Sequence, residues 1–236
     1  ELGKLALSVA PMQQVYDNAI ERMAAIYNVQ SCSVLELQPD NKTVKLVSNI
    51  GWEKARTTTD TVELKHAPLT EYTLRIQQAV IVSNFKDETR FTVSEQLRNH
   101  KLISGMTVVI GNTNKPFGVL GVYSHTEKAF TQEDSNFAQA IANVLAEATE
   151  RRRVESALRL SDQRARAIFD QSYAFVGLLN PDGILLDVNR TSCEFTGIAK
   201  EEAIGQPFPQ TIWWSHNLQQ RKRLEESISK AAKGEF

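Results

Sequence analysis

Ser104-Gly-Met-Thr-Val-Val-Ile110 and Phe117-Gly-Val-Leu-Gly-Val-Tyr-Ser124 are the two stretches that decide the fold class. Both are rich in β-branched and aromatic residues, and Gly111-Asn-Thr-Asn-Lys-Pro116 between them carries turn residues, so the pair reads as a β-hairpin. Moving toward the N-terminus, 94–100 reads as a short helix and 84–92 as a polar loop. Residues 79–83 read as a short buried strand and 69–78 as a helix. The Thr-rich stretch after Gly51-Trp52 reads as a loop. Before it, Cys32-Ser-Val-Leu-Glu-Leu37 and Thr43-Val-Lys-Leu-Val47 flank Gln38-Pro-Asp-Asn-Lys42, a second hairpin. Apolar Met12, Val15, Ile20, Met23 and Ile26 behind Pro11 predict an amphipathic helix over 11–27. Hairpins with a helix at each end predict an α+β domain on an antiparallel sheet, the helices near 11–27 and 131–150 covering one face.

Toward the C-terminus, Thr131 with Asp134 three residues on makes a capping-box-like helix start. Phe137, Ile141, Val144 and Ala148 keep 4-3-4 spacing, and Leu158, Ala165 and Phe169 stay in that register. No Gly or Pro interrupts 131–172, which predicts one long coiled-coil-like connecting helix with polar Arg151, Glu155 and Asp162 on its seam. Ala174-Phe-Val-Gly-Leu-Leu179, Asn180-Pro-Asp-Gly183 and Ile184-Leu-Leu-Asp-Val188 read as a third hairpin. A charged helix comes next, near 218–233. Two strands cannot bury both faces of a sheet, so this second, partial α/β domain reads as unfinished.

With 236 residues the chain exceeds the usual single-domain range, which favours two domains. A net charge of −1 gives no reason to expect nucleic acid or an anionic membrane surface as partner. No apolar run reaches the ~20 residues of a membrane span. Glu1-Leu-Gly-Lys-Leu-Ala-Leu-Ser8 lacks the signal-peptide pattern and an initiator Met, and reads as cut from a longer polypeptide. Cys32 and Cys193 stand alone, and His66, His100, His125 and His216 are scattered. Neither a disulfide framework nor a metal site is expected, and a reducing cytosol fits best.

Over about residues 8–150 the sequence resembles a GAF domain: Ser104-Gly-Met, Lys115-Pro-Phe-Gly-Val-Leu-Gly-Val-Tyr123, Phe130-Thr-Gln-Glu-Asp134 and Phe137-Ala-Gln-Ala-Ile-Ala-Asn143 carry the likeness. Ser161 to Ser172, Asn180-Pro-Asp-Gly183, Asp187-Val-Asn189, Cys193-Glu-Phe-Thr-Gly197 and Ile204-Gly205 are similar to the front of a PAS domain. The resemblance implies a GAF-like antiparallel sheet in 1–150, a signalling helix over 131–172 and the N-terminal part of a PAS-like domain in 173–236. Three further strands of the PAS pattern are absent from the sequence.

Candidate chemistry sits in the first domain. Trp52, Tyr72, Arg90, Phe91, His100 and Tyr123 could line a small-ligand pocket, although each also suits core packing. Asn114-Lys115, Phe130 and Asp134 partly resemble the cyclic-nucleotide-binding GAF pattern, but Ser135 replaces its final Glu. Lys115 and Asp134 are instead expected to form a structural ion pair. No covalent bilin is expected, because 97–102 offers no Cys and Cys32 opens a core strand. No flavin is expected at Cys193, whose context Thr191-Ser-Cys-Glu-Phe-Thr-Gly197 lacks the photosensor pattern, and no haem at the loop residue His216. Arg151-Arg-Arg153 reads as a solvated helix face. No catalytic triad, GxSxG or P-loop is found.

The resemblance implies a non-catalytic, cytoplasmic sensory fragment of a signal-transduction protein. A histidine kinase is the first reading of the whole protein and a diguanylate cyclase the second. It would bind a small ligand or partner and form a homodimer through the linker helix. The competing reading is a dimerisation spacer with a collapsed pocket. A GAF-fold sulfoxide reductase is opposed by two unclustered cysteines.

Overall fold

The computed structural model describes residues 10–52, 61–112 and 114–235. The expectations for 1–8 and for the loop at 53–60 lie outside the described residues. The chain divides into two units, Glu1–Val154 and Glu155–Phe236.

In the first unit Pro11 precedes helix α1 (Met12–Tyr27), which ends at Asn28 in the left-handed conformation. Strands β1 (Ser31–Leu37) and β2 (Thr43–Ile50) form the first hairpin. Its turn is fastened by Asp40, whose carboxylate accepts from the Lys42 and Thr43 amides and the Thr43 hydroxyl. These bonds hold the Asp40 carboxyl below its ordinary value. Thr61–Glu63, part of the stretch expected as a loop, is edge strand β3 on β2. Then come α2 (Pro68–Ile76), β4 (Val80–Val82), α3 (Glu95–Asn99), β5 (Ser104–Asn112) and β6 (Lys115–Ser124). Every pairing is antiparallel and the order is β3-β2-β1-β6-β5-β4.

Strand alternation divides the sheet into two faces. On one, Cys32, Val34, Met106, Val108, Ile110, Leu120 and Val122 meet Val15, Ala19, Ile20 and Met23 of α1. The same face receives α4 (Gln132–Gln171), so both flanking helices do cover one side of the sheet. The contact phase of α4 differs from expectation. Ala138, Ala142, Leu145 and Ala148 are buried, whereas Phe137 is 41% exposed and Ile141 and Val144 are only half-buried. Small side chains let a helix approach a sheet closely, so the alanines face inward and the larger residues flank them. Tyr27 clamps the two helices by donating from its hydroxyl to the Asp134 carbonyl at 2.6 Å, and Lys128 bonds the Tyr27 carbonyl.

In the second unit β7 (Gly177–Leu179) and β8 (Leu185–Val188) form the expected hairpin, with Gly183 at φ +78° in its turn. Buried Asn189 fastens the end of β8 to its neighbours: its Oδ1 accepts from the Val176 amide and the Ser192 hydroxyl, and its Nδ2 donates to Ala174. It also caps α5 (Arg190–Thr196), which ends at left-handed Gly197. Helix α6 (Lys200–Ala203), two 3-10 turns (Phe208–Gln210 and Ile212–Trp214) and α7 (Leu218–Ala232) complete it. Its core is small: Leu185, Val188 and Ala203, with Leu179, Cys193, Phe208 and Trp213 packed around them.

Candidate functional site

The sheet face of the first unit turned away from α1 and α4 carries a second cluster. Trp52, Leu69, Val80, Val82, Phe85, Leu97, Leu102 and Tyr123 are buried there, with Tyr72, Ile76, Phe91 and Val93 packed against them. Strands β4 to β6 supply the floor, while α2, α3 and the loop between β4 and α3 supply the walls. All six candidate lining residues border this cluster, in two groups.

The first group is Tyr123, Trp52 and His100. The Tyr123 ring lies flat on the sheet because two neighbours have no side chain. A Cβ on Gly121 would fall 2.3 Å from its hydroxyl oxygen, and one on Gly105 would fall 2.8 Å from its Cδ1. Trp52 meets it edge-on at a centroid distance of 5.2 Å and donates from its indole nitrogen to the Cys32 carbonyl at 3.1 Å. The His100 ring sits 5.1 Å from Trp52, with Nδ1 2.9 Å from the Gln96 carbonyl. Burial pushes the Tyr123 hydroxyl up to about 12, against the opposing effect of a hydrogen bond to Ser33. Burial alone pushes the Cys32 thiol up to about 12, the behaviour of a core cysteine rather than a nucleophile.

The second group is Tyr72, Phe91 and Arg90. Tyr72 and Phe91 are 5.5 Å apart, and the Arg75 and Arg90 guanidinium carbons lie 5.1 and 6.0 Å from the Tyr72 ring centre. Arg90 is committed to Glu88, at 2.9 and 2.6 Å, and donates to the Ile81 carbonyl at 2.7 Å, so it ties its loop to strand β4. The pair holds the Glu88 carboxyl below its ordinary value, chiefly through the hydrogen bond from Arg90.

Sequence reasoning missed the hydroxyl groups of this face. Thr73 on α2 and Thr107 on β5 are fully buried and share a 2.7 Å hydrogen bond, and Ser33 on β1 is also buried. Thr107 inside the apolar run of β5 was the one available signal. Among the described residues, no three His, Cys, Asp or Glu side chains gather as a metal-ligating group.

The expected Lys115–Asp134 ion pair is not formed. Lys115 Nζ lies 3.2 Å from Glu150, while the Asp134 carboxylate accepts from the Thr131 amide and hydroxyl at 2.7 and 2.9 Å. The Asp134 amide in turn donates to Thr131 Oγ1, closing a reciprocal cap. Sixteen residues of helix separate Asp134 from Glu150, about 24 Å at 1.5 Å per residue, so one lysine cannot serve both.

Two family models match the chain: GAF domain over residues 11–148 and PAS fold over residues 163–235. Over 76 residues the chain is 37% identical to hybrid signal transduction histidine kinase D of Dictyostelium discoideum, covering 32% of this chain and 5% of that protein. Over 75 residues it is 36% identical to sensor histidine kinase TmoS of Ectopseudomonas mendocina, covering 32% and 8%. The chain thus spans less than a tenth of the length of these curated relatives. The GAF domain of a phosphoenolpyruvate-protein phosphotransferase from Coxiella burnetii is similar in fold, with a TM-score of 0.59 at 12% identity over 66% of this chain and 92% of that one. No helix among the described residues is long and apolar enough to cross a membrane. The first match takes in more than half the sequence, and the chain belongs to the GAF domain family, with a PAS fold following it.

Proposed function

We propose that this chain is the sensory region of a cytoplasmic signal-transduction protein, a histidine kinase, in which α4 relays a change at the GAF domain along a homodimer. The observation that carries the reading is the divided character of α4. Its first half is bound into the core through Ala138, Ala142 and Leu145. Farther on, Val154, Leu158 and Ile168 are 57%, 70% and 76% exposed, at helical spacing, along with Ala165. Apolar residues repeated at three and four positions on an unpartnered helix suit a parallel pairing with a second copy. A ligand acts on such a pair only through its differential affinity for two arrangements. Sedimentation tests the pairing: the chain should associate with rising concentration and Leu158→Asp should abolish this. A concentration-independent monomer insensitive to that change would refute it.

The ligand would bind over the aromatic face, against Trp52, Tyr72, Phe91 and Tyr123. Compounds that bind the native state raise its stability by RT ln(1 + [L]/Kd), so a thermal-shift screen of cyclic nucleotides, phenols and short carboxylic acids is the test. The Tyr123 ring favours a second reading, because it already fills the floor between Gly105 and Gly121. In that reading the domain is a dimerisation spacer with no ligand, and no compound shifts the transition.

A further inference from the structure

Ser33 on β1 and Thr107 on β5 are the cross-strand partners of Gly121 on β6, so one row of the aromatic face runs hydroxyl, glycine, hydroxyl. Both hydroxyl residues are buried, and Thr107 is bonded to Thr73 at 2.7 Å. Gly121 contributes no side chain to that row. Its place is taken by the ring of Tyr123, which folds back along its own strand over Gly121 and shares a hydrogen bond with Ser33. In the next row the partner of Tyr123 on β5 is Gly105, again without a side chain. The result is a flat floor about one aromatic ring wide. Buried Trp52 and Phe85 border it, and neutral hydroxyls stand at one end.

The Tyr123 ring lies on this floor as a bound molecule would, tethered by its own Cα–Cβ bond. Another staggered position about that bond lifts it off Gly121 without altering the strand. A molecule that replaces it must supply what the ring supplied: a planar apolar body for the two glycines and a hydroxyl for Ser33. The replacement must also be uncharged. Burial pushes the Tyr123 hydroxyl up to about 12, so the floor disfavours an ionised group on the ring. In the other group of the face, Arg90 is already committed to Glu88.

We propose that Tyr123 is a resident stand-in for the ligand: a neutral, single-ring phenol displaces its ring from Gly121 and takes over the bond to Ser33. The inference rests on the reading in which the first unit binds a ligand over its aromatic face. The displacement removes the edge-on partner of Trp52, so that indole reports it. The probe is p-cresol, the tyrosine side chain as a free molecule. It is added to the whole chain carrying Trp213→Phe and Trp214→Phe, which leaves Trp52 as the only tryptophan. Calorimetry at neutral pH should show saturable one-to-one binding, and the same titration should shift Trp52 emission. Apparent affinity scales with the fraction of chains whose ring is displaced. Tyr123→Phe, whose ring makes no bond to Ser33, should therefore bind p-cresol about twofold to tenfold tighter. Ser33→Ala should weaken p-cresol relative to p-xylene by about the same factor. Benzoate should bind at least about tenfold more weakly than p-cresol. Equal affinity of the two chains for p-cresol would overturn the stand-in, as would a p-cresol to p-xylene ratio unmoved by Ser33→Ala or benzoate binding as tight as p-cresol. If p-cresol does not bind but another compound shifts the thermal transition, this inference falls and the ligand reading stands. If no compound binds, both fall.

Discussion

Gly121→Ala is the sharpest test of how the aromatic face is built. The new methyl would lie 2.3 Å from the Tyr123 hydroxyl oxygen and 2.6 Å from two ring carbons. Tyr123 is 3% exposed, so its ring cannot reach solvent without displacing its neighbours. Keeping the ring in place costs about 1–3 kcal/mol of overpacking. Expelling it forfeits the edge-on contact with Trp52, about 0.5–1.5 kcal/mol, and the bond to Ser33, another ~0.5–1.5 kcal/mol. The better strand propensity of alanine returns about 0.5–1 kcal/mol. The net expectation is a loss of about 0–2.5 kcal/mol, a fall of up to roughly 1 M in urea midpoint for a domain of this size. The assay is urea unfolding followed by Trp52 emission in a Trp213→Phe, Trp214→Phe background. Adding Tyr123→Ser should make the alanine nearly neutral, since the clash then has no partner. A Gly121→Ala chain with unchanged midpoint and unchanged Trp52 emission would refute the flat-ring packing.

Thr73→Val strands the buried Thr107 hydroxyl and should cost about 1–3 kcal/mol, while Thr73→Val with Thr107→Val should recover much of that loss; equal costs for single and double variants would contradict the pairing. Asp134→Ala removes the reciprocal cap and should cost about 0.5–2 kcal/mol by thermal unfolding. Lys115→Ala, which breaks only a half-exposed pair with Glu150, should change stability by less than about 1 kcal/mol. Cys32, Tyr27 and Tyr123 are each pushed up to about 12 in the folded chain, from ordinary values of 9.0 for the thiol and 10.0 for the phenols, chiefly by burial. The unfolded chain therefore releases these protons first. Their contribution to stability is intact below pH ~9 and is lost as the pH rises toward ~12, which denaturant midpoints across that range would reveal.

Much of the sheet was legible because alternation survives in single strands: Met106, Val108 and Ile110 point one way and Gly105 and Thr107 the other. The central β1–β6 pairing was not legible, since its partners, from Ser31↔Tyr123 to Glu36↔Gly118, lie about eighty to ninety residues apart and no local signal selects them. The α4 phase was misread because hydrophobicity ranks Phe137 and Val144 above Ala138 and Ala142, whereas close packing on a sheet rewards the smaller side chain. At the candidate site the aromatics announced themselves. The hydroxyls of Ser33 and Thr73 did not, because an isolated Ser or Thr in a sequence gives no sign of burial, and Thr107 did so only through its place inside an apolar strand.

The displaced phase of α4 has a consequence for relay. Phe137, Val144, Leu158 and Ala165 differ by multiples of seven and so lie on one track of the helix. Had Phe137 and Val144 been consumed by the sheet, that track would end inside the first unit. Because alanines take the sheet contact, the first two members stay partly exposed, and the track resumes beyond Arg151 at Leu158 and Ala165. Arg151 falls on the same track and weakens it there, as a polar seam residue does in exchange for register. A pairing surface of that kind would begin on the helix that Tyr27 clamps to α1. A shift of α1 against α4 would then act directly on the pairing. In the proposed dimer Phe137→Asp should therefore weaken association along with Leu158→Asp. Ala142→Ser, on the sheet side, should lower stability and leave association unchanged. Association lost through Ala142→Ser and kept in Phe137→Asp would place the seam on the other phase and break the argument.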